Sequence, residues 1–198
     1  MKIYLIRHGE TDWNRKGLLQ GKQDIPLNEN GIALAKKTAE GMKRAGISFD
    51  KIYSSPLLRA YETAEILSEY LTTGAVKVVA DERLKEMDFK EHEGQIYQGL
   101  ALDSFTKLPG IEPFEAVRDR TMDLVWEVIR SGNCCGEQVL ISTHGVALQS
   151  IMAGVYGGTL PEGRGVSSNC GVTILSVRDG LSGEPEIGVE RENVIFYT

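Results

Sequence analysis

Only three histidines occur in the 198 residues, and two of them stand in comparable places. His8 follows a short apolar run, in Arg7-His8-Gly9-Glu10-Thr11, and His144 follows another, in Ser142-Thr143-His144-Gly145. A glycine after each lets backbone approach a ligand closely. Imidazole is largely unprotonated near pH 7 and can serve there as a nucleophile. Arg7 stands next to the first histidine, and Arg59 lies a few residues after a third apolar run, Lys51-Ile52-Tyr53. Guanidinium offers planar, paired donors that match phosphate and keeps its charge at neutral pH. Brought together, two imidazoles and two guanidiniums form a pocket for a doubly charged oxyanion, and a phosphoryl group is its natural occupant.

For these residues to meet, the apolar runs must be neighbouring parallel strands. Ligands of an open α/β sheet bind in the crevice beyond the carboxyl ends of the strands. Short apolar runs alternate with stretches of helical period along the chain, the pattern of such a sheet with crossover helices. Strands are predicted at Lys2 to Ile6, Lys51 to Tyr53, around Val76 to Val79, and at Gln138 to Ser142. Two late strands are predicted near Val172 to Val177 and Ile187 to Phe196. Asn28 is placed to cap a helix running to Arg44, with Ile32, Ala35, Ala39 and Met42 inward. Ser54-Ser55-Pro56 reads as a cap and first-turn proline for the helix that carries Arg59. Phe114 to Arg130 and Val146 to Met152 are further helices, and a short one is expected between Tyr97 and Leu108. The expected architecture is a three-layer α/β/α sandwich with a mostly parallel central sheet. Residues 1–198 form one domain in this reading, with residues 87–113 as a small helical cap.

Further segments extend the pattern. Asp12-Trp13-Asn14, Gln20-Gly21, Asp24-Ile25-Pro26-Leu27-Asn28 and Gly31 follow the first histidine. Tyr53-Ser54-Ser55-Pro56-Leu57-Leu58-Arg59-Ala60, Thr63-Ala64, Glu86-Met87-Asp88-Phe89, Glu93-Gly94, Thr143-His144-Gly145 and Asn169 come later. In this order the segments resemble the histidine phosphatase superfamily, which includes the cofactor-dependent phosphoglycerate mutases. The resemblance implies that His8 attacks phosphorus and becomes phosphohistidine. It implies that Arg7, Arg59 and His144 bind the phosphoryl oxygens and stabilise their transition-state charge. Glu86 matches the general acid that protonates the leaving alkoxide and then deprotonates water. A carboxyl in such a site should have a raised pKa. Asn14, Gln20, Gly21 and Gly145 are expected to contact substrate. No metal and no cofactor are required on this reading.

One segment departs from the pattern. Relatives often show Phe-Gly-x-Trp-Glu-Gly where this chain has Phe89-Lys90-Glu91-His92-Glu93-Gly94, so the loop flanking the acid should differ. Lys90 and His92 are expected to be exposed, although contact with the polar end of a substrate is the other reading. Glu82, Glu91 and Glu93 are expected to be solvated. Gln95 to Pro113 carries one lysine, Lys107, against Asp103 and Glu112, and is otherwise apolar. A second phosphate would find little to hold it there, which favours a phosphomonoester hydrolase over mutase-type transfer between hydroxyls of one substrate. Short family members with this layout look like broad-specificity or α-ribazole phosphatases. Some of Ile96, Leu100, Leu102, Phe105, Leu108 and Ile111 must be core, and the rest are free to shape an apolar or aromatic leaving-group pocket.

Other classes find no support. Gly17 to Lys22 has three residues between its glycines where a P-loop needs four. No cysteine is followed six positions later by arginine, and Asp-x-Asp and Gly-x-Ser-x-Gly are missing from the sequence. The net charge of −6 argues against nucleic acid or an anionic membrane as partner. Cys134, Cys135 and Cys170 are expected as free thiols in a cytoplasmic protein. A small phosphorylated substrate is the expected partner, and a homodimer is left open.

Overall fold

The computed structural model describes residues 1–72, 76–97, 102–132, 136–160, 165–180 and 183–198. Six strands form one sheet: β1 (Lys2–Arg7), β2 (Lys51–Ser54), β3 (Val78–Ala80), β4 (Gln138–Thr143), β5 (Val172–Asp179) and β6 (Pro185–Val194). Their spatial order is β3-β2-β4-β1-β5-β6. The first four are parallel to one another, whereas β5 and β6 run antiparallel at one side. The sheet is therefore mixed, with a parallel part that carries both histidines.

The central strands alternate strictly between two cores, as a sheet covered on both faces requires. Ile3 and Leu5 of β1 and Val139 and Ile141 of β4 face α5 (Phe114–Ser131) and α6 (Gly145–Val155), meeting Leu124, Val128, Leu148 and Ile151. Tyr4, Ile6 and Leu140 face the other way, onto Ala35, Ala39 and Met42 of α2 (Glu29–Arg44) and Ala64, Leu67 and Leu71 of α3 (Leu58–Leu71). Asn28 caps α2 as expected, its Oδ1 accepting from Gly31 N at 2.8 Å, while Ile32 turns out to be exposed.

Register delivers the site. Arg7 pairs with Thr143 and Ser54 with Ser142, so His8, His144 and Ser55 leave adjacent strands at nearly the same height. Because β5 is reversed, its entry rather than its exit lies at that edge, with Ile6 opposite Val172.

A third, smaller core lies beside this edge, where Leu19, Met87, Phe89, Leu102, Val117 and Val146 pack with Tyr97, Leu108 and Ile111. Of the apolar residues expected to cap the site, Leu102, Leu108 and Ile111 are thus packing residues, whereas Ile96 is 77% exposed. The short helix expected between Tyr97 and Leu108 is one turn, α4 (Leu102–Phe105); Leu100 lies outside the described residues, as do Cys134 and Cys135. Cys170 is a buried free thiol. No described helix is long and apolar enough to cross a membrane.

The start of α3 differs from the expectation. The helix begins at Leu58, not Pro56, and no side chain of the preceding residue caps it. Instead Asp24 Oδ1 accepts from Leu58 N at 2.7 Å, so a distant loop supplies the cap.

Candidate active site

His8 is almost fully buried at the end of β1. Its Nδ1 lies 2.7 Å from the Gly9 carbonyl oxygen. A carbonyl can only accept, so Nδ1 carries the proton and Nε2 is left with its lone pair. Burial, then the charges of Arg59 and Arg7, hold the His8 pKa well below the ordinary histidine value. The ring is therefore neutral near pH 7 and has an available nitrogen.

His144 stands beside it, with ring centroids 5.2 Å apart and planes at 59°. It too is fully buried, and burial and Arg59 push its pKa well below the usual range. Near pH 7 it offers an N–H donor rather than a full charge, and the arginines supply the positive charge. Its Nε2 lies 2.8 Å from Ser55 Oγ.

Arg59 is completely buried in the first turn of α3. Its Nη1 donates to Gln23 O at 2.9 Å and its Nη2 to Gly21 O at 2.7 Å. Burial lowers its pKa to about 10, which still leaves it charged at neutral pH. Arg7 Nη1 donates to Ser167 O at 2.5 Å. Nε of Arg7, Nε of Arg59 and Nδ1 of His144 are buried without a hydrogen-bond partner among the described residues. Buried polar atoms are normally satisfied, and an orphaned donor on a charged group is costly. Two of these are donors on charged groups, and both arginines act on the paired rings of His8 and His144, so this edge offers positive charge to an acceptor-rich anion. Of the four residues, only Arg7 and His8 line the cavity among the described residues.

Glu86 is held by the start of α6. Its Oε1 accepts from Met87 N and Ala147 N, each at 2.9 Å, and its Oε2 from Val146 N at 3.0 Å. Burial raises its pKa above the usual carboxylate value, and those amides and Arg59 oppose the rise. Oε1 takes two donors and Oε2 one, so Oε2 is the oxygen with room for a proton. Arg120, on α5, fixes the segment from behind: it donates to the carbonyls of Arg83, Lys85 and Glu86 and pairs with Glu112.

The expected contact residues divide. Asn14 and Gln20 line the cavity with Arg7, His8, Glu86 and Gly145. Asn14 Oδ1 is occupied by Thr11 and Asn169, and Gln20 Oε1 accepts from Thr11 Oγ1 at 2.8 Å. Both amides therefore keep their NH₂ groups for the cavity. Gly145 has its place for want of space: a Cβ there would lie 2.5 Å from Val166 Cγ1, between it and the Arg7 and Glu86 side chains. Gly21 does not line the cavity. A Cβ on it would overlap Glu93 Oε1 and come within 2.8 Å of Met87 O, and its carbonyl orients Arg59 instead.

Glu93, expected to be solvated, accepts from Lys22 N at 2.8 Å and Gln23 N at 3.0 Å and so holds the turn that grips Arg59. Lys90 is exposed and pairs with Asp88 at 2.7 Å. It adopts φ +52°, the left-handed conformation that suits the glycine often found there in relatives. His92 is partly exposed and its Nε2 lies 3.1 Å from Pro109 O.

Residues with no role in the sequence reading complete the site. Thr63 Oγ1 accepts from Gly9 N, and Asn169 Nδ2 donates to the carbonyls of His8 and Gly9. Asn169 and Thr63 lie in segments already matched to the family, but nothing in the sequence pairs them with the nucleophile's peptide. The rest of the cavity wall is mostly apolar, made by Leu19, Phe89, Val146 and Val166 with the phenol ring of Tyr97.

Comparison with known proteins gives a consistent result. The family model of the histidine phosphatase superfamily (branch 1) matches residues 3–183. An uncharacterized phosphatase, PhoE, of Bacillus subtilis is 38% identical over 162 residues, 79% of this chain and 78% of that protein. A 2,3-bisphosphoglycerate-dependent phosphoglycerate mutase of Parvibaculum lavamentivorans is 31% identical over 162 residues, 76% of this chain and 77% of its own. Among solved structures, a mycobacterial glucosyl-3-phosphoglycerate phosphatase complexed with VO₃ superposes with a TM-score of 0.82 at 27% identity, covering 98% of this chain and 99% of that one.

Proposed function

The chain belongs to the histidine phosphatase superfamily, and we propose that it is a phosphomonoester hydrolase acting through phosphohistidine on a small phosphorylated metabolite, without a metal. The observation that carries this reading is a neutral His8 whose Nε2 is left unprotonated, its ring 5.2 Å from that of His144, with Nε of Arg7 and of Arg59 buried and unpartnered among the described residues.

In the first step His8 Nε2 forms a bond to phosphorus as the ester P–O bond breaks. The imidazole becomes cationic, and its Nδ1–H stays on the Gly9 carbonyl, which steadies that charge. Glu86 gives its proton to the departing alkoxide from Oε2. Arg7, Arg59 and the His144 N–H take the phosphoryl oxygens, supplying fixed donors where negative charge is spread. Asn14 and Gln20 add amide donors. In the second step Glu86, now a carboxylate, takes a proton from water as the oxygen attacks phosphorus, and the P–N bond breaks to release inorganic phosphate.

Hydrolysis is favoured over mutase transfer by the cavity wall. Among the described residues that line it, Arg7 is the one cation, and the wall beyond the phosphoryl end is hydrocarbon and aromatic. A bisphosphorylated intermediate needs a second cationic clamp, whereas an apolar or aromatic leaving group fits this wall.

Release of phosphate from p-nitrophenyl phosphate in the presence of EDTA, with an acid-labile phosphoenzyme that His8→Ala abolishes, is the expected result. Incubation of 3-phosphoglycerate with trace 2,3-bisphosphoglycerate should give phosphate faster than 2-phosphoglycerate. Isomerisation outrunning hydrolysis would replace this reading with the mutase.

A further inference from the structure

The sequence assigns Ser55 to a helix start, yet the structure turns its hydroxyl to His144. Ser55 is fully buried at the end of β2, its amide held by Ser142 O at 3.0 Å. Its Oγ accepts from Leu57 N at 3.3 Å and lies 2.8 Å from His144 Nε2. We propose that Ser55 is a positioning residue that places the proton of His144 on Nδ1, so that this ring meets a phosphoryl oxygen as a donor. The proposal rests on the reading of the cavity as a phosphoryl site.

The argument is one of hydrogen-bond satisfaction. A buried hydroxyl has one hydrogen to give, and a buried donor left unused is costly. With Leu57 N–H already pointing at Oγ, the acceptor available to the Ser55 hydrogen is His144 Nε2. Once Nε2 accepts, a neutral ring must carry its proton on Nδ1. That nitrogen is the buried atom of His144 with no partner, and its ring stands 5.2 Å from that of His8. The opposite tautomer fails twice. It would leave the serine hydrogen without an acceptor, and it would turn a bare nitrogen lone pair toward the oxygens of an anion. A carboxylate at position 55 could only accept and would impose that wrong tautomer. A serine can impose the right one.

The two histidines then have matched and different settings. His8 gives its Nδ1 proton to a backbone carbonyl and keeps Nε2 for bond formation. His144 accepts a hydrogen bond at Nε2 from a hydroxyl and keeps Nδ1–H for binding.

The test is a long-range proton–nitrogen correlation spectrum of the ligand-free protein with ¹⁵N-labelled histidine rings, the three rings being assigned with His92→Gln and His8→Ala. His144 should show a protonated Nδ1 and a pyridine-type Nε2, and inorganic phosphate should shift Nδ1. In Ser55→Ala the ring should go over to the Nε2–H form or a mixture. Its phosphate inhibition constant against p-nitrophenyl phosphate should rise about tenfold, the scale of one hydrogen bond. A wild-type ring protonated on Nε2 overturns the proposal, and so does an alanine variant with unchanged spectrum and unchanged phosphate inhibition. If the variant does not fold, the wild-type spectrum decides. Because that spectrum needs no turnover, an absence of hydrolysis would count against the phosphatase reading and leave this assignment to its own readout.

Discussion

Replacing Glu86 by glutamine separates what its carboxyl does for the fold from what it does for the reaction. Two oxygens of Glu86 accept three backbone N–H groups: Met87 and Ala147 on Oε1, Val146 on Oε2. Glutamine has one carbonyl oxygen. Its better orientation puts that oxygen in the Oε1 position and keeps two of the bonds, leaving its NH₂ against Val146 N–H. One buried amide then loses its acceptor, which costs about 1–3 kcal/mol. Burial raises the Glu86 pKa, so burying this carboxyl near pH 7 carries a cost, as desolvation or as proton uptake, that the neutral amide escapes. The net loss near pH 7 should therefore sit at about 1 kcal/mol, a fall of roughly 2–4 °C in Tm for a chain of this size. The chemical effect is far larger. Loss of a general acid costs about 10²–10⁴ in rate, and the cost falls on alkyl esters, whose leaving alkoxide needs the proton. Aryl esters, which leave as stable phenolates, should slow much less. Calorimetry, with kcat/KM for glycerol phosphate against p-nitrophenyl phosphate, reads both effects. Equal slowing of the two ester classes would remove Glu86 from the acid role, and a raised Tm would refute the amide-clamp argument.

The buried histidines predict acid lability. Both have folded pKa values below the ordinary 6.5, so the unfolded chain binds more protons and stability is lost as pH falls below about 6.5. Each contributes a slope of about 1.4 kcal/mol per pH unit there, and denaturant titrations of His144→Gln against wild type should show one such slope removed; parallel profiles would contradict it. Gly21→Ala should raise KM and the phosphate inhibition constant about tenfold or more while leaving the alkyl-to-aryl ratio unchanged, because it moves a carbonyl that holds Arg59 and not the acid. A change confined to kcat would count against it. Arg120→Leu should lower Tm and, like Glu86→Gln, slow alkyl esters more than aryl ones, because it removes the donor behind the Arg83, Lys85 and Glu86 carbonyls; equal effects on both esters would show that it supports stability alone.

The parts of this molecule legible in its sequence are those that local pattern determines. The apolar runs of β1, β2 and β4, the Asn28 cap and the helical periods of α2, α3 and α5 follow from residue spacing, and they place His8, His144 and Arg59 at one edge. Glu86 was legible only through family likeness, because its setting is made by amides of α6 about 60 positions away. Ser55 has a local explanation as a helix cap and Gly21 a family-based one as a substrate contact, and tertiary neighbours give each another partner: His144 meets the hydroxyl and Arg59 the carbonyl. Arg120 carries no signal, since an arginine on a helix looks like any other until the carbonyls it meets are known. The reversal of β5 is equally silent, because a short apolar strand reads the same in either direction.

That reversal has an architectural result. The parallel strands β1, β2 and β4 each send the chain away from the catalytic edge toward a helix, so the segments after them are tied down by what they must become. Just ahead of β5, Ser167 O meets Arg7 and Asn169 meets the His8 peptide. Val166, just upstream, forms part of the rim. Val166 thus reaches the cavity wall from a stretch that belongs to no strand or helix, so a change of side chain there can reshape the wall without moving a strand.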